Sequence, residues 1–379
     1  MRRIYLDHAA TSPLHPEVAE KMMNKMIENF GNPSSIHSFG REARRTLDES
    51  RRSLANTIGA KPGEIIFTSG GTEADNLAVI GTVLANNQIG KHIITTQVEH
   101  HAVLHACKYL EKQGYEVTYL PVDEQGLISL NDVKKHVTNQ TVLVSVMFGN
   151  NEVGTIQPIR EIGEYLKDSP AFFHTDAVQA FGMEPIDVQE LGVDLLTVSA
   201  HKINGPKGVG FLYAKAGIKL QPALYGGEQE LKRRAGTENV AGISGFSHAA
   251  KLSIEEREQK KEQYIGFKKE MMRIFEENNI SFHLNGSLNG LPHVLNLYFP
   301  KTHIESLLVN LDLAGIAASS GSACTAGSVD PSHVLVAMYG KESDRILSSI
   351  RFSFGLGTNM DDIQYAAQEI VKVIKRITA

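Results

Sequence analysis

Phe172-Phe173-His174-Thr175-Asp176-Ala177-Val178-Gln179 and Asp194-Leu195-Leu196-Thr197-Val198-Ser199-Ala200-His201-Lys202 are two apolar, strand-like runs, each ending in polar side chains. In an α/β sheet, ligands collect at the carboxyl ends of strands, so neighbouring strands would turn Asp176 and Lys202 toward one crevice. An amine that can form a Schiff base, beside a carboxylate that can keep a pyridine nitrogen protonated, is the pair that pyridoxal phosphate requires. Taken singly, each residue reads more readily as a surface lysine or a turn aspartate, since both types are mostly exposed.

Outward from these runs, strand candidates fall at Glu64–Thr68, His92–Gln97, Glu116–Leu120, Val142–Met147, Ala171–His174, Leu195–Ser199 and Gly208–Ala214. Helical periodicity lies between several of them, at Glu73–Asn86, His101–Gln113 and Leu130–His136. This alternation predicts βα units around a mostly parallel, seven-stranded sheet. Ser253 to Asn279 carries an apolar stripe among Glu and Lys and predicts one helix linking two domains. Beyond it, strand-like runs at Ser281–Leu284, Val294–Phe299 and Ile350–Ser353, with a closing amphipathic helix at Met360–Ile377, predict a smaller α+β unit. The expected division is residues 17–259 as the large domain, and residues 1–16 with 260–379 as the small one.

The chain has 379 residues, 42% of them hydrophobic, which is more than one ordinary core requires and predicts two domains. A net charge of −5 without a long basic run speaks against a nucleic-acid surface. The two cysteines, Cys107 and Cys324, are too few for a disulfide framework and predict a reducing compartment. No run reaches bilayer-spanning length and no signal-peptide stretch opens the chain, so a cytoplasmic protein without a membrane partner is expected.

Several further motifs stand at strand ends. Thr68-Ser69-Gly70-Gly71-Thr72-Glu73 offers backbone N–H groups and the Thr72 hydroxyl to a phosphate, or is an ordinary capped turn. Neither a Walker lysine nor dinucleotide glycine spacing is present, which disfavours nucleotides. His100, in Glu99-His100-His101, suits stacking on a flat ring or moving protons. His101 and His105 share a helix face but lack a third metal ligand, so no metal is expected. Asn150-Asn151-Glu152 and Gln179 offer side-chain amides, with turn formation as the alternative for the asparagines. Arg351 interrupts an apolar strand, either to grip a carboxylate or to form a salt bridge between domains. Cys107 fits a buried helix face, whereas Cys324 lies in Ser319-Ser320-Gly321-Ser322-Ala323-Cys324-Thr325-Ala326-Gly327, small residues that predict a mobile loop displaying a nucleophilic thiol.

Together these motifs resemble the pyridoxal-phosphate-dependent cysteine desulfurases of class-V aminotransferase type. The resemblance also takes in Tyr5-Leu6-Asp7-His8-Ala9-Ala10-Thr11, Gly31-Asn32-Pro33-Ser34-Ser35 and Arg234-Ala235-Gly236-Thr237-Glu238-Asn239. It implies a fold-type-I transferase and a homodimer with pyridoxal 5'-phosphate at the subunit interface. Lys202 would carry the cofactor, Asp176 pair with its ring nitrogen, His100 stack on the ring and Gln179 contact the ring hydroxyl. Gly71, Thr72, Ser199 and His201 would hold the phosphate, joined by Thr237 from the neighbouring subunit. Asn151 and Arg351 would bind the carboxylate of L-cysteine. Cys324 would take the sulfur as a persulfide and pass it to an acceptor protein, an iron–sulfur scaffold or a tRNA thiouridylase, while alanine leaves. The long cysteine loop resembles the group serving iron–sulfur and tRNA thiolation, and Gly71 stands where many relatives carry alanine. Selenocysteine lyase or aminotransferase activity, and a non-catalytic sulfur-carrier scaffold, are the alternatives.

Overall fold

The structure, a computed structural model, describes residues 2–320 and 331–378. Its strands run in chain order β1 (Ile4–Tyr5), β2 (Ile65–Thr68), β3 (His92–Thr96), β4 (Glu116–Leu120), β5 (Thr141–Ser145), β6 (Phe172–Asp176), β7 (Leu195–Ser199), β8 (Gly210–Ala214), β9 (His283–Asn285), β10 (Val294–Tyr298), β11 (Ile316–Ala317) and β12 (Ser349–Ser353). Seven of them form one sheet in the order β2-β8-β7-β6-β5-β3-β4. Pairing is parallel from β7 to β4, while β8 runs antiparallel to both β7 and β2. The mostly parallel, seven-stranded sheet expected from the βα alternation is therefore present.

Why these runs become inner strands is visible in their composition. Every residue of β3, β5, β7 and β8 is buried, as a strand covered on both faces requires, whereas the edge strand β4 is partly exposed. Leu195 packs into one apolar layer with Ala74, Val103 and Leu110, and Leu196 into the opposite layer with Leu47, Ile243 and Phe246. Strand limits differ locally from the sequence expectation. Glu64 falls outside β2, in a 3-10 turn (Pro62–Glu64), because its carboxylate is occupied by the backbone amides of Lys61 and Ala216. β6 extends two residues past the expected end at His174, as far as Asp176.

Two expected helices are interrupted. Glu73–Asn86 is helical, but Leu77–Gly81 winds as a π segment where the Gly81 carbonyl accepts from the Gln221 amide. The expected linker Ser253–Asn279 is in fact two helices, Val240–Glu255 and Arg257–Glu277, broken at Glu256. The apolar first helix packs on helices Pro16–Glu28 and Ser38–Asn56, which sequence periodicity had not singled out.

The remaining elements build a second core. The antiparallel sheet β12-β10-β9 lies with helices Arg257–Glu277, Ile304–Leu313 and Met360–Thr378 around Phe267, Phe275, Phe299, Phe352 and Phe354. The chain start joins this core: Ile4 pairs with Ile316, and Ser353 donates its amide to the Leu6 carbonyl. Ser319 and Asp7 bridge to Arg351 and Ser353, so three separate chain segments meet at the strand that carries Arg351.

Phe173 is fully buried in β6, three residues before Asp176. Phe173→Ala is expected to cost ~3–5 kcal/mol, read as a lower urea midpoint at unchanged slope. A loss below about 1 kcal/mol would contradict this packing.

Candidate active site

β6 and β7 lie side by side with Asp176 opposite Thr197, so the chain leaves both strands at one edge of the sheet. After β7 a 3-10 turn (Ala200–Lys202) brings Lys202 back over that edge. The turn after β2, the segment after β5 and the start of helix His101–Lys112 close the space into a cavity of about 570 Å³. Lys202, Asp176, His100, Gly71, Thr72, Gln179, Ser199, His201, Asn151 and Arg351 all line it, so ten of the twelve expected site residues converge there.

Each side chain is held by local structure. Lys202 Nζ donates to the Ala9 and Ala10 carbonyls, at 2.5 and 2.7 Å. Asp176 Oδ1 accepts from the Val178 amide at 2.9 Å. His100 caps helix His101–Lys112, its Nδ1 accepting from the Ala102 amide, which fixes the ring against the cavity. Gly70, with φ 144°, makes the sharp entry to the helix starting at Gly71, a backbone conformation that suits glycine. His201 Nδ1 lies 3.1 Å from the Thr11 hydroxyl. Arg351 ion-pairs with Asp7 at 2.8 Å and donates to the Asn151 carbonyl at 2.8 Å, yet its buried Nε has no hydrogen-bond partner among the described residues. The salt bridge that forms, to Asp7, joins two segments of the same expected unit, residues 1–16 and 260–379, rather than two domains; the contact with the larger unit is the hydrogen bond to the Asn151 carbonyl.

Of the other two, Thr237, expected to act from a neighbouring subunit, does not line this cavity. It is exposed on a separate turn of the same chain. Cys324 lies outside the described residues, although Ser319 and Ser320 before it line the cavity. Cys107 is fully buried, and burial pushes its thiol up to about 12, in keeping with a packing role.

Sequence reasoning missed a set of buried acids. Asp75 follows Gly71 by one helical turn and lines the cavity, its Oδ1 3.7 Å from His174 Nε2. Burial and the neighbouring Asp176 carboxylate hold Asp75 well above the usual carboxylate range. Glu99 accepts from the Met147 amide and the Thr96 hydroxyl, and burial pushes it up to about 8. Their signal was available: Asp75 sits on the apolar face of its helix pattern, where a charge needs a partner.

The family model described as Aminotransferase class-V matches residues 4–366. A protein of Bacillus subtilis (strain 168) named putative cysteine desulfurase IscS 1 is 60% identical over the whole of both chains. A solved NifS-like protein is 34% identical, with a TM-score of 0.92, over 99% of this chain and 100% of its own. A solved structure of SspA in complex with cysteine is 35% identical, with a TM-score of 0.81, over 93% of this chain and 98% of its own. The chain belongs to the class-V aminotransferase family, among its cysteine desulfurases.

Cysteine desulfurases of this family depend on pyridoxal phosphate, and the cavity suits that group. It supplies an amine, a carboxylate, a flat imidazole and small hydroxyl side chains within one space of ligand size. Its electrostatics also fit. Burial, helped by the Arg351 guanidinium, pushes Lys202 down to about 8, while Asp176 and Asp7 act in the opposite sense. Burial, with Lys202 beside it, pushes His100 down to about 4, so the imidazole is neutral at pH 7. Burial likewise raises Asp176 to about 6, with the Val178 amide and Lys202 lowering it.

A lysine attacks an aldehyde only as the free amine. Capture of pyridoxal phosphate by the apoprotein should therefore rise through a midpoint near pH 8, followed by the growth of visible absorbance. Arg351→Gln removes a positive neighbour and should move that midpoint upward. A wild-type midpoint in the ordinary lysine range, about 10, would contradict the burial of the amine.

Proposed function

We propose that this cysteine desulfurase takes sulfur from L-cysteine onto Cys324 as a persulfide and hands it to an acceptor protein, releasing L-alanine. The observation that supports the reading is the convergence of Lys202, Asp176, His100 and Arg351 on one cavity, whose lining also includes Ser319 and Ser320, which precede Cys324 in the sequence.

In this reading Lys202 binds pyridoxal 5'-phosphate and Asp176 holds its ring nitrogen. His100 lies on the ring and Gln179 on its hydroxyl, while Gly71, Thr72, Ser199 and His201 cradle the phosphate. When bound, the cofactor supplies an electron sink for the substrate carbon next to the amine. Asn151 and Arg351 orient the substrate carboxylate, the buried guanidinium exchanging part of its hold on Asp7 for the ligand. The free Lys202 amine takes the proton from the substrate α-carbon, while neutral His100, whose Nδ1 accepts from the Ala102 amide, offers its Nε2 hydrogen as a donor, and the thiol proton stays with the sulfur. The Cys324 thiolate then attacks the substrate sulfur: an S–S bond forms, and the carbon–sulfur bond breaks with its electron pair left on carbon. That β-carbon takes a proton, the Lys202 ammonium returns one to the α-carbon, and the product departs as alanine.

We further infer a homodimer. Met23, Met26, Ile27, Phe30, Ile36 and Phe39 are exposed along helices Pro16–Glu28 and Ser38–Asn56 and the turn between them. Such a grouping of large apolar side chains is normally covered. Nearby, Glu230 is clamped by Arg51 and by the Phe67 amide, while Glu230, Leu231 and Lys232 all hold positive φ. This anchored and strained segment leads to the exposed Thr237, which in this reading reaches the phosphate of the cofactor in a second copy. The two units, residues 17–259 and residues 1–16 with 260–379, divide the work between holding the cofactor and presenting Arg351 and the thiol. An iron–sulfur scaffold or a tRNA thiouridylase in the cytoplasm is the acceptor that the long cysteine loop suggests. Among the described residues, no helix is long and apolar enough to cross a membrane.

Incubation with L-cysteine and a thiol reductant should yield alanine over many turnovers and label Cys324 with persulfide. Cys324→Ala should lower sulfur release by a hundredfold or more while retaining the visible absorbance of bound cofactor. Undiminished sulfur release by that variant would favour the lyase alternative, which needs no loop thiol.

A further inference from the structure

A second cavity, of about 20 Å³, shares Lys202 and Gln179 with the main one. His8, Ser12, Gln179, Lys202, Tyr264 and His293 are among the residues that line it. The space is sufficient for one water molecule, which needs ~10–15 Å³ and two to four polar partners. His8 and His293 each bury an Nδ1 atom that has no hydrogen-bond partner among the described residues.

The hydrogen bonds around Gln179 decide the state of His293. The Gln179 Nε2 amide faces the Ala9 carbonyl at 3.0 Å, an acceptor only, so this end of the side chain must be its NH2 group. The other end, Oε1, therefore faces His293 Nε2 at 3.1 Å. An amide oxygen only accepts, so Nε2 must carry the hydrogen. Burial, with Lys268, His8, Lys202 and Arg351 nearby, keeps the ring neutral. A neutral ring protonated at Nε2 has a bare Nδ1 acceptor, and leaving that acceptor buried and unpaired is costly.

We propose that this smaller cavity is a water site, and that His293, donating from Nε2 to Gln179 and accepting from this water at Nδ1, is the positioning residue that fixes the Gln179 amide. The water donates one hydrogen to His293 Nδ1 and bridges toward His8. In consequence Gln179 is held from both ends, by the Ala9 carbonyl and by His293, and cannot flip its amide as the main cavity fills. Ala9 also accepts from Lys202, so the water, His293, Gln179 and the reactive amine belong to one connected network. The role of His293 toward the cofactor rests on the proposed placement of Gln179 at the cofactor ring; the water and the tautomer do not.

Neutron diffraction from deuterium-exchanged holoenzyme tests the site itself. The expected map has a deuteron on His293 Nε2 and a water within hydrogen-bond distance of Nδ1. A deuteron on Nδ1, or a cavity without solvent scattering, overturns the proposal. The positioning role is read from pyridoxal phosphate affinity, followed by absorbance. His293→Leu should weaken it about tenfold, as loss of a supporting partner typically does, whereas His293→Gln, which restores a donor, should stay within about threefold of wild type. Equal affinities for wild type and His293→Leu, or no rescue by His293→Gln, overturn the positioning role. Wild-type protein that takes up no pyridoxal phosphate would instead sink the functional reading, and the neutron map would still decide the water site.

Discussion

The parallel pairing of β6 with β7 is the constraint on which the site depends. Both strands are covered on both faces, so charged side chains are expensive along their length and are displaced to the ends. Parallel register then puts those ends together, with Asp176 beside Thr197 and Lys202 one turn beyond Ser199. The antiparallel neighbour β8 contributes by being small at the right point. A Cβ on Gly210 would lie 2.6 Å from the Val198 carbonyl oxygen and 2.8 Å from Gly70 Cα, so glycine lets the Gly70 turn close onto β7. Ser199 and the helix that begins at Gly71 are thereby drawn to the same edge.

Charge in this site is set by burial before it is set by pairing. Asp75, Glu99 and Asp176 are all raised, with burial as the largest cause in each. Three neighbouring carboxylates in one apolar setting do not all ionise, since like charges add to the desolvation cost. Asp176 is the one opposed by Lys202 and by a backbone amide, which makes it the natural seat of the negative charge. Opposite it, Arg351 depresses Lys202 while Asp7 restrains Arg351. The site therefore holds a neutral imidazole and a readily deprotonated amine within a small volume, and it is the amine that suits moving protons near neutral pH.

Much of this was legible in the sequence because the controlling signals are local. Apolar runs ending in polar residues marked β6 and β7, and the two-glycine turn marked a helix after β2, which begins at Gly71, two residues before the expected Glu73. What escaped depends on contacts remote in the chain. Asp7 meets Arg351, and Ala9 meets Lys202, only after the chain start is stitched beside β12, a pairing that no periodicity announces. The π segment at Leu77–Gly81 is tied to Gln221 far downstream, and the break at Glu256 follows from packing two different cores against successive helices. His293 carries no motif at all; its meaning comes from Gln179 across the interface of those cores.

The central claim is that strand-end geometry gives Lys202 the bond to pyridoxal phosphate. Borohydride reduction of the protein as purified, followed by peptide mass mapping, tests it most directly. The account predicts a single phosphopyridoxyl modification, on Lys202, with loss of the visible absorbance. A modification on another lysine, or an unmodified Lys202 in protein that contains the cofactor, would contradict it.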